Sequence, residues 1–490
     1  MIKANSFRTI NYRTVVRLLA QLMLIESGFM MIPMLVSIFY GENDYYAFLV
    51  AILITLLASW AILSGVRSGR RDLGKREGYM LTSLVWVVFS IFGMIPFMVS
   101  DVSLGLTDAF CETMSGFTTT GCSVLNDVES LSHGVHIWRC LMQWIGGLGI
   151  MIFTLAVMPM LNSSGGMQMM NAELPGITKE KLSPRVSQTA KRLWLVYMLL
   201  TLLLAVLLCI GPMNIFDGIC HALSTMSTGG FSTRNDSIGA WDSWYIRLVV
   251  LVFMFIGGVN FALIYRASIG KIRASWKDET FRFYVKVIIV LTILLTIGYI
   301  VNCRPEWSMS VFVDPLFQVV STLTSTGYSV TDCQSWGTFV FPILLILMFV
   351  GASAGSTSGG CKLDRISFLF KNCHNEIMKC IHPNRVYSVS INNRVQSPEL
   401  VSKVMAFMWL YMGAIIGGGI MLVLLGMPIS DSLFASLSCV GNTGLGAGVT
   451  ADSFVDVPVA GKWILSLLML VGRLEIFTVL VLFTRDFWRK

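Results

Sequence analysis

The chain has 490 residues, of which 55% are apolar and 13% charged, whereas a soluble domain carries roughly 25% charged residues. Its net charge of +8 would suit nucleic acid, but the charges sit in short loops between apolar runs and form no continuous basic face. Several runs reach the ~20 residues of a membrane span, so an ordinary soluble globule is excluded and no nucleic-acid partner is expected.

Candidate spans lie near 15–39, 46–66, 78–100, 135–161, 193–213, 244–265, 283–302, 337–370, 401–425 and 460–484. The first run is long, lacks an evident cleavage site and reads as a retained span. Basic residues collect after even-numbered spans: Arg67, Arg70, Arg71, Lys75 and Arg76; Lys179, Lys181, Arg185, Lys191 and Arg192; Arg266, Lys271, Arg273, Lys277 and Arg282; and from Lys362 to Lys403. The alternate loops are acidic, with Glu42, Asp44, Asp101, Asp108, Glu112, Asp127, Glu129, Asp431, Asp452 and Asp456. This positive-inside pattern puts both termini in the cytoplasm. Trp138, Trp244 and Trp463 near outer span ends suit an interfacial belt.

Four acidic outer segments share one pattern: Asp108 through Ser115 to Gly121, Asp217 through Ser224 to Gly230, Asp314 through Ser321 to Gly327, and Asp431 through Ser438 to Gly444. The two spacings are identical in all four, which marks an internal repeat. Aspartate is a good N-cap, so each segment starts a helix of about eight to ten residues, too short to span. The chain must therefore dip in and turn back.

Next in each repeat comes a polar, glycine-bearing stretch: Thr119, Thr120, Gly121 and Cys122; Thr228, Gly229, Gly230 and Phe231; Ser325, Thr326, Gly327 and Tyr328; Asn442, Thr443, Gly444 and Leu445. Irregular backbone at this depth is tolerated only where it lines a water-filled path or is buried in protein. Glycine opens conformations that let carbonyls face one axis, and a carbonyl ring replaces the hydration shell of a cation. The expected fold is thus all-α and integral to the membrane: four span–pore helix–span repeats around a pseudo-fourfold pore, plus two extra N-terminal transmembrane helices. The boundaries fall at 1–72 for the two leading helices and at 73–175, 176–275, 276–395 and 396–490 for repeats one to four.

Two features inside the membrane stand out. The run Gly351, Ala352, Ser353, Ala354, Gly355, Ser356, Thr357, Ser358, Gly359 and Gly360 interrupts the second span of repeat three and is a poor continuous helix. Small residues there could let helices pack closely; the sharper reading is an intramembrane loop that blocks or opens the path. A phosphate-binding loop fits badly, because Cys361 separates Gly360 from Lys362. Arg473 lies within the last span, where a charge usually faces a cavity or a partner. Glu475, two residues on, points elsewhere on a helix, which leaves an ion pair with another helix or hydrogen bonds to the loop carbonyls.

Other chemistry is sparse. The eleven cysteines have no metal-ligand spacing. Cys303 and Cys333 flank the third pore helix on the side where disulfides persist, although free thiols are the expected state. His133 and His136 lack further ligands, and His374 and His382 sit in a basic loop. No catalytic motif is present, so an enzyme is not expected.

On its four segments, with the lines Gln143–Gly149 and Gly472–Glu475, the chain resembles the Trk/Ktr/HKT superfamily of potassium transporters, and its two leading spans make it most similar to the bacterial Trk branch. The resemblance covers nearly the whole chain. It implies K⁺ as the transported ion, no bound organic cofactor, a homodimer in the lipid of a bacterial inner membrane, and a cytosolic TrkA-like ring of nucleotide-binding regulatory subunits. It also implies a gate loop at Gly351–Gly360 with Arg473 beside it. Family members with serine at the first filter position tend to pass sodium, so Gly121 implies potassium. An ion-coupled secondary transporter, driven by H⁺ or Na⁺, is the alternative, but such proteins use inverted repeats and these repeats run parallel.

Overall fold

The computed structural model describes residues 10–66, 74–147, 149, 186–392 and 394–489. Among them, six helices are long and apolar enough to cross a membrane, or eight if each of two bent pairs counts as one span. Around its apolar core the chain also presents apolar side chains outward. Leu202, Ile293 and Trp409 are exposed, while Thr113, Ser115, Thr225, Ser321 and Ser438 are buried. Lipid is as apolar as leucine, so helix contacts inside a membrane favour small residues such as serine and threonine that let backbones approach closely.

Helices Tyr12–Tyr40 and Tyr45–Gly65 form an antiparallel pair outside the repeat. The acidic tip between them docks on repeat one. Glu42 accepts the backbone N–H of His133 at 2.9 Å, and Asp44 accepts the hydroxyl of Ser132. The His133 ring, placed 2.6 Å from Glu42 and stacked on Tyr40, is thereby accounted for. Among the described residues no group of three metal-ligating side chains occurs. The basic residues Arg67, Arg70, Arg71, Lys179, Lys181 and Arg185 lie outside the described residues.

Each repeat has a pore helix: Leu106–Phe117, Ile215–Met226, Ser310–Leu323 and Ile429–Gly441. At 12 to 14 residues they exceed the expected length. The aspartates are not the N-caps; the cap positions are Gly105, Asn214, Met309 and Pro428. Starting upstream puts each carboxylate inside the helix, free to bind a neighbour. Asp108 meets Lys462 of repeat four at 2.6 Å and Asp314 meets Arg247 of repeat two at 3.7 Å. Asp217 accepts the Thr233 hydroxyl, and Asp431 the backbone N–H of Val449.

The second helices break where the sequence reading expected long spans. In repeat one the helix is described over His133–Gly147 and Gly149 follows with a φ of 83°, while the rest of the expected 135–161 lies outside the described residues. In repeat two, Trp244–Gly257 and Phe261–Ser268 meet at 107°, and in repeat four Val459–Arg473 and Phe477–Phe483 meet at 110°. In repeat three, Val340–Val350 ends where the glycine-serine run starts, and Leu363–Ile381 follows it. Only this third break announced itself in composition. Trp244 and Trp463 are partly exposed as a belt requires, but Trp138 is fully buried and donates to the Gly93 carbonyl at 3.0 Å. Cys303 and Cys333 are free thiols.

A buried ion pair lies inside repeat one, and its arginine also reaches repeat two, donating to the Ser232 carbonyl. Arg139 Nε lies 2.9 Å from Glu112, and the two side chains are 2% and 0% exposed. Glu112 also accepts Val124 N–H at 2.8 Å, and the guanidinium stacks 4.1 Å over the Phe231 ring. Removing one partner strands a buried charge, whereas removing both does not. Arg139→Met should therefore lower stability by about 3–5 kcal/mol, and adding Glu112→Gln should recover most of it. Thermal unfolding in detergent checks this; a double variant no better than the single one would contradict it.

Candidate functional site

All four pore helices end in the same way. The residue after the helix stop takes a left-handed conformation: Thr119, Thr228, Ser325 and Asn442 have φ of 55°, 53°, 52° and 51°. The following N–H returns to the repeat's serine carbonyl, from Thr120 to Ser115, Gly229 to Ser224, Thr326 to Ser321 and Thr443 to Ser438, each at 2.9 Å. A second bond, reaching back three residues, joins Thr119 to Gly116, Thr228 to Thr225, Ser325 to Thr322 and Asn442 to Cys439 at 3.0–3.3 Å. This is a Schellman closure, and it gives the conserved serine-to-glycine spacing its meaning. A non-glycine residue in that conformation costs about 1–2 kcal/mol, which the surrounding bonds must hold.

Two residues on, Gly121, Gly230, Gly327 and Gly444 have φ of 80–83°. A Cβ on Gly121 would strike the carbonyl oxygen of Gly229; on Gly230, that of Thr326; on Gly327, that of Thr443; and on Gly444, that of Thr120. The sequence of contacts closes from repeat one through two, three and four back to one. Four glycines and four carbonyl oxygens thus form one ring, packed so closely that no side chain fits. Cys122, Phe231 and Tyr328 follow it as buried residues, and Leu445 as a half-buried one. The pore helices point their C-termini at this ring, each bringing a partial charge of about −0.5.

The Gly351–Gly360 loop lies against the left-handed residues that close the pore helices. Gly359 N–H donates to Ser325 Oγ at 2.6 Å, and Thr228 Oγ1 donates to Thr357 Oγ1 at 3.2 Å. A Cβ on Gly359 would collide with the Gly441 carbonyl and crowd Asn442. The loop thus touches the left-handed residue of three repeats. Its other bonds reach the broken helix of repeat two, with Phe261 N–H donating to Gly355 O at 2.9 Å and Ser353 N–H to Gly258 O at 3.2 Å. Ala352, Ser353, Ala354, Thr357 and Ser358 are buried.

Arg473 stands at the break of the last helix, near the middle of the bent pair Val459–Arg473 and Phe477–Phe483. It donates to Thr357 O at 2.8 Å, and to Gly146 O and Gly147 O at 2.5 and 2.7 Å. Of the two roles the sequence left open, loop carbonyls are the contact seen. Glu475 pairs instead with Arg365 at 2.5 Å. Sequence reasoning missed three contributors: Arg365; Lys362, whose ammonium donates to the Ser358 carbonyl; and Gln143, which donates to the Gly229 carbonyl of the second ring segment. Only their charge or polarity at membrane depth could have flagged them.

Four re-entrant helices meeting in a closed carbonyl-glycine ring define a multi-pass membrane protein of the pore-loop transport class. The family model for TrkH, described as a cation transport protein, matches residues 46–490. The Trk system potassium uptake protein TrkH of Salmonella typhimurium is 37% identical over 98% of this chain and 100% of that protein. Its namesake in Vibrio parahaemolyticus is 34% identical over 98% and 100%. The crystal structure of the potassium transporter TrkH from Vibrio parahaemolyticus superposes with a TM-score of 0.89 at 32% identity, covering 98% of this chain and 100% of that one. The chain belongs to the TrkH family, a family of transporters and not of enzymes.

The tightness of the loop contact is testable. Gly359→Ala should destabilise the protein by about 1–3 kcal/mol through overpacking. Gly413→Ala, where a Cβ meets open space, should leave the unfolding midpoint unchanged or raise it. Equal midpoints for the two variants would contradict the packing described.

Proposed function

We propose that the protein takes up potassium across the bacterial inner membrane through a gated, channel-like pore, with both termini cytoplasmic. The observation that carries this reading is the closed ring of Gly121, Gly230, Gly327 and Gly444 against the carbonyls of Thr120, Gly229, Thr326 and Thr443. Such a ring offers a dehydrated cation oxygen ligands in place of water, and the helix C-termini add favourable potential. Thr119, Thr228, Ser325 and Asn442 stand at its inner edge. That the relatives are potassium uptake proteins supports K⁺ as the ion. The five sequence units, the homodimer and a nucleotide-binding cytosolic ring of TrkA type are proposed with it, on the family resemblance.

The gate is the Gly351–Gly360 loop with Arg473. The loop crosses beneath the ring, and the guanidinium both holds its Thr357 carbonyl and sets a positive charge on the exit path. At ~8 Å and an effective dielectric of ~20, repulsion of a passing cation is about 2 kcal/mol, which slows passage by a factor of tens. Ion-coupled transport remains the competing reading; flux that saturates and follows a proton or sodium gradient would favour it.

Two outcomes follow. Gly121→Ser should weaken K⁺ over Na⁺ discrimination in liposome flux, because a side chain disturbs one quarter of the ring; unchanged discrimination would count against the filter. Arg473→Ala, or partial deletion of the loop, should raise basal cation flux about tenfold or more in protein of normal stability. Normal folding with flux at or below wild type would sink the gate assignment.

A further inference from the structure

The four ring segments share one backbone, and at the position before the ring glycine the second departs from the other three. The residue before the ring glycine is threonine in three repeats and Gly229 in the second. There the Gln143 side chain, from the second helix of repeat one, fills the space: a Cβ on Gly229 would collide with the Gln143 amide carbon. Gln143 is fully buried. Its Oε1 accepts from Ser224 Oγ at 2.7 Å and from Phe231 N–H at 3.2 Å, and its Nε2 donates to Gly229 O at 2.7 Å. Because a backbone N–H can only donate, the Phe231 bond fixes which end of the amide faces Gly229. Gly229 O is the ring oxygen packed against Gly121.

One of four ring oxygens therefore already carries a hydrogen bond from a buried amide. We infer that Gln143 is a positioning residue that sets ion affinity: by donating to Gly229 O it weakens the ring's hold on a cation and speeds release. The inference rests on the filter reading above. An oxygen that accepts an N–H has less lone-pair density left, and the donor's positive end lies close to the ion. Among the described residues no side chain is seen donating to the ring oxygens of Thr120, Thr326 or Thr443; the hydroxyls of Thr120 and Thr326 bond instead to those of Thr118 and Thr324, at 2.7 and 2.8 Å. A bound cation would meet three open carbonyls and one shared. Conduction needs sites weak enough to leave, so this asymmetry lowers affinity in favour of throughput.

The test is K⁺ flux into proteoliposomes as a function of K⁺ concentration. Gln143→Met keeps the volume and removes the donor. Half-saturating K⁺ should fall about fivefold, the effect of one net hydrogen bond, and maximal flux should fall with it. A packing role alone predicts the opposite sign, with half-saturation unchanged or raised, and that result would overturn the inference. If Gln143→Met does not fold, Gln143→Ala with Gly229→Thr decides, since it rebuilds the threonine of the other repeats in the vacated space. This pair should fold where Gly229→Thr alone does not, and show the same lowered half-saturation; failure of either expectation overturns the assignment. Gly121→Ser separates the two levels: if it alters selectivity while half-saturation in Gln143→Met stays put, the filter stands and only the role of Gln143 falls.

Discussion

Backbone polar groups held at membrane depth have no water to bind, and each one left unsatisfied costs several kcal/mol. The four pore loops meet that constraint with one device, a pair of bonds returning the chain onto the last turn of its own helix. The device forces Thr119, Thr228, Ser325 and Asn442 into left-handed geometry. It also turns the next carbonyl and glycine toward the neighbouring repeat. Since every glycine packs on the next repeat's oxygen, the ring cannot be altered in one quarter without disturbing its neighbour.

Around this ring the remaining polar groups act as struts. On one side, Asp108 with Lys462 and Asp314 with Arg247 tie one repeat to another, and Arg139, paired with Glu112 of its own repeat, stacks on Phe231 of repeat two. Inside, the breaks in the second helices expose carbonyls that need donors. Arg473 supplies them to Gly146, Gly147 and Thr357 together, so one guanidinium couples repeats one, three and four. Removing it would take this donor from all three carbonyls at once.

The fourfold repeat was legible because two spacings recur without exception, and the spacing from serine to glycine is the covalent length of the closure just described. The glycine-serine run was legible because composition marks a poor helix. The breaks at Gly257 and Arg473 were not, since Trp244–Gly257 and Val459–Arg473 are as apolar as any continuous span and their ends depend on contacts across repeats. Gln143 and Lys362 were passed over for the same reason: each works through a partner more than 80 and exactly four residues away respectively, and neither spacing forms a motif. Trp138 shows the converse error, a residue type read as interfacial that the fold buries against Gly93.

The central claim is that the ring of four glycines and four carbonyls is a cation site. It is tested most directly by an experimental structure of the protein in rubidium or thallium, with anomalous scattering measured on the axis of Gly121, Gly230, Gly327 and Gly444. The account predicts a peak within coordination distance of the Thr120, Gly229, Thr326 and Thr443 oxygens, displaced by potassium and far less readily by sodium. An ordered ring with no peak there, or one displaced equally by sodium, would contradict it.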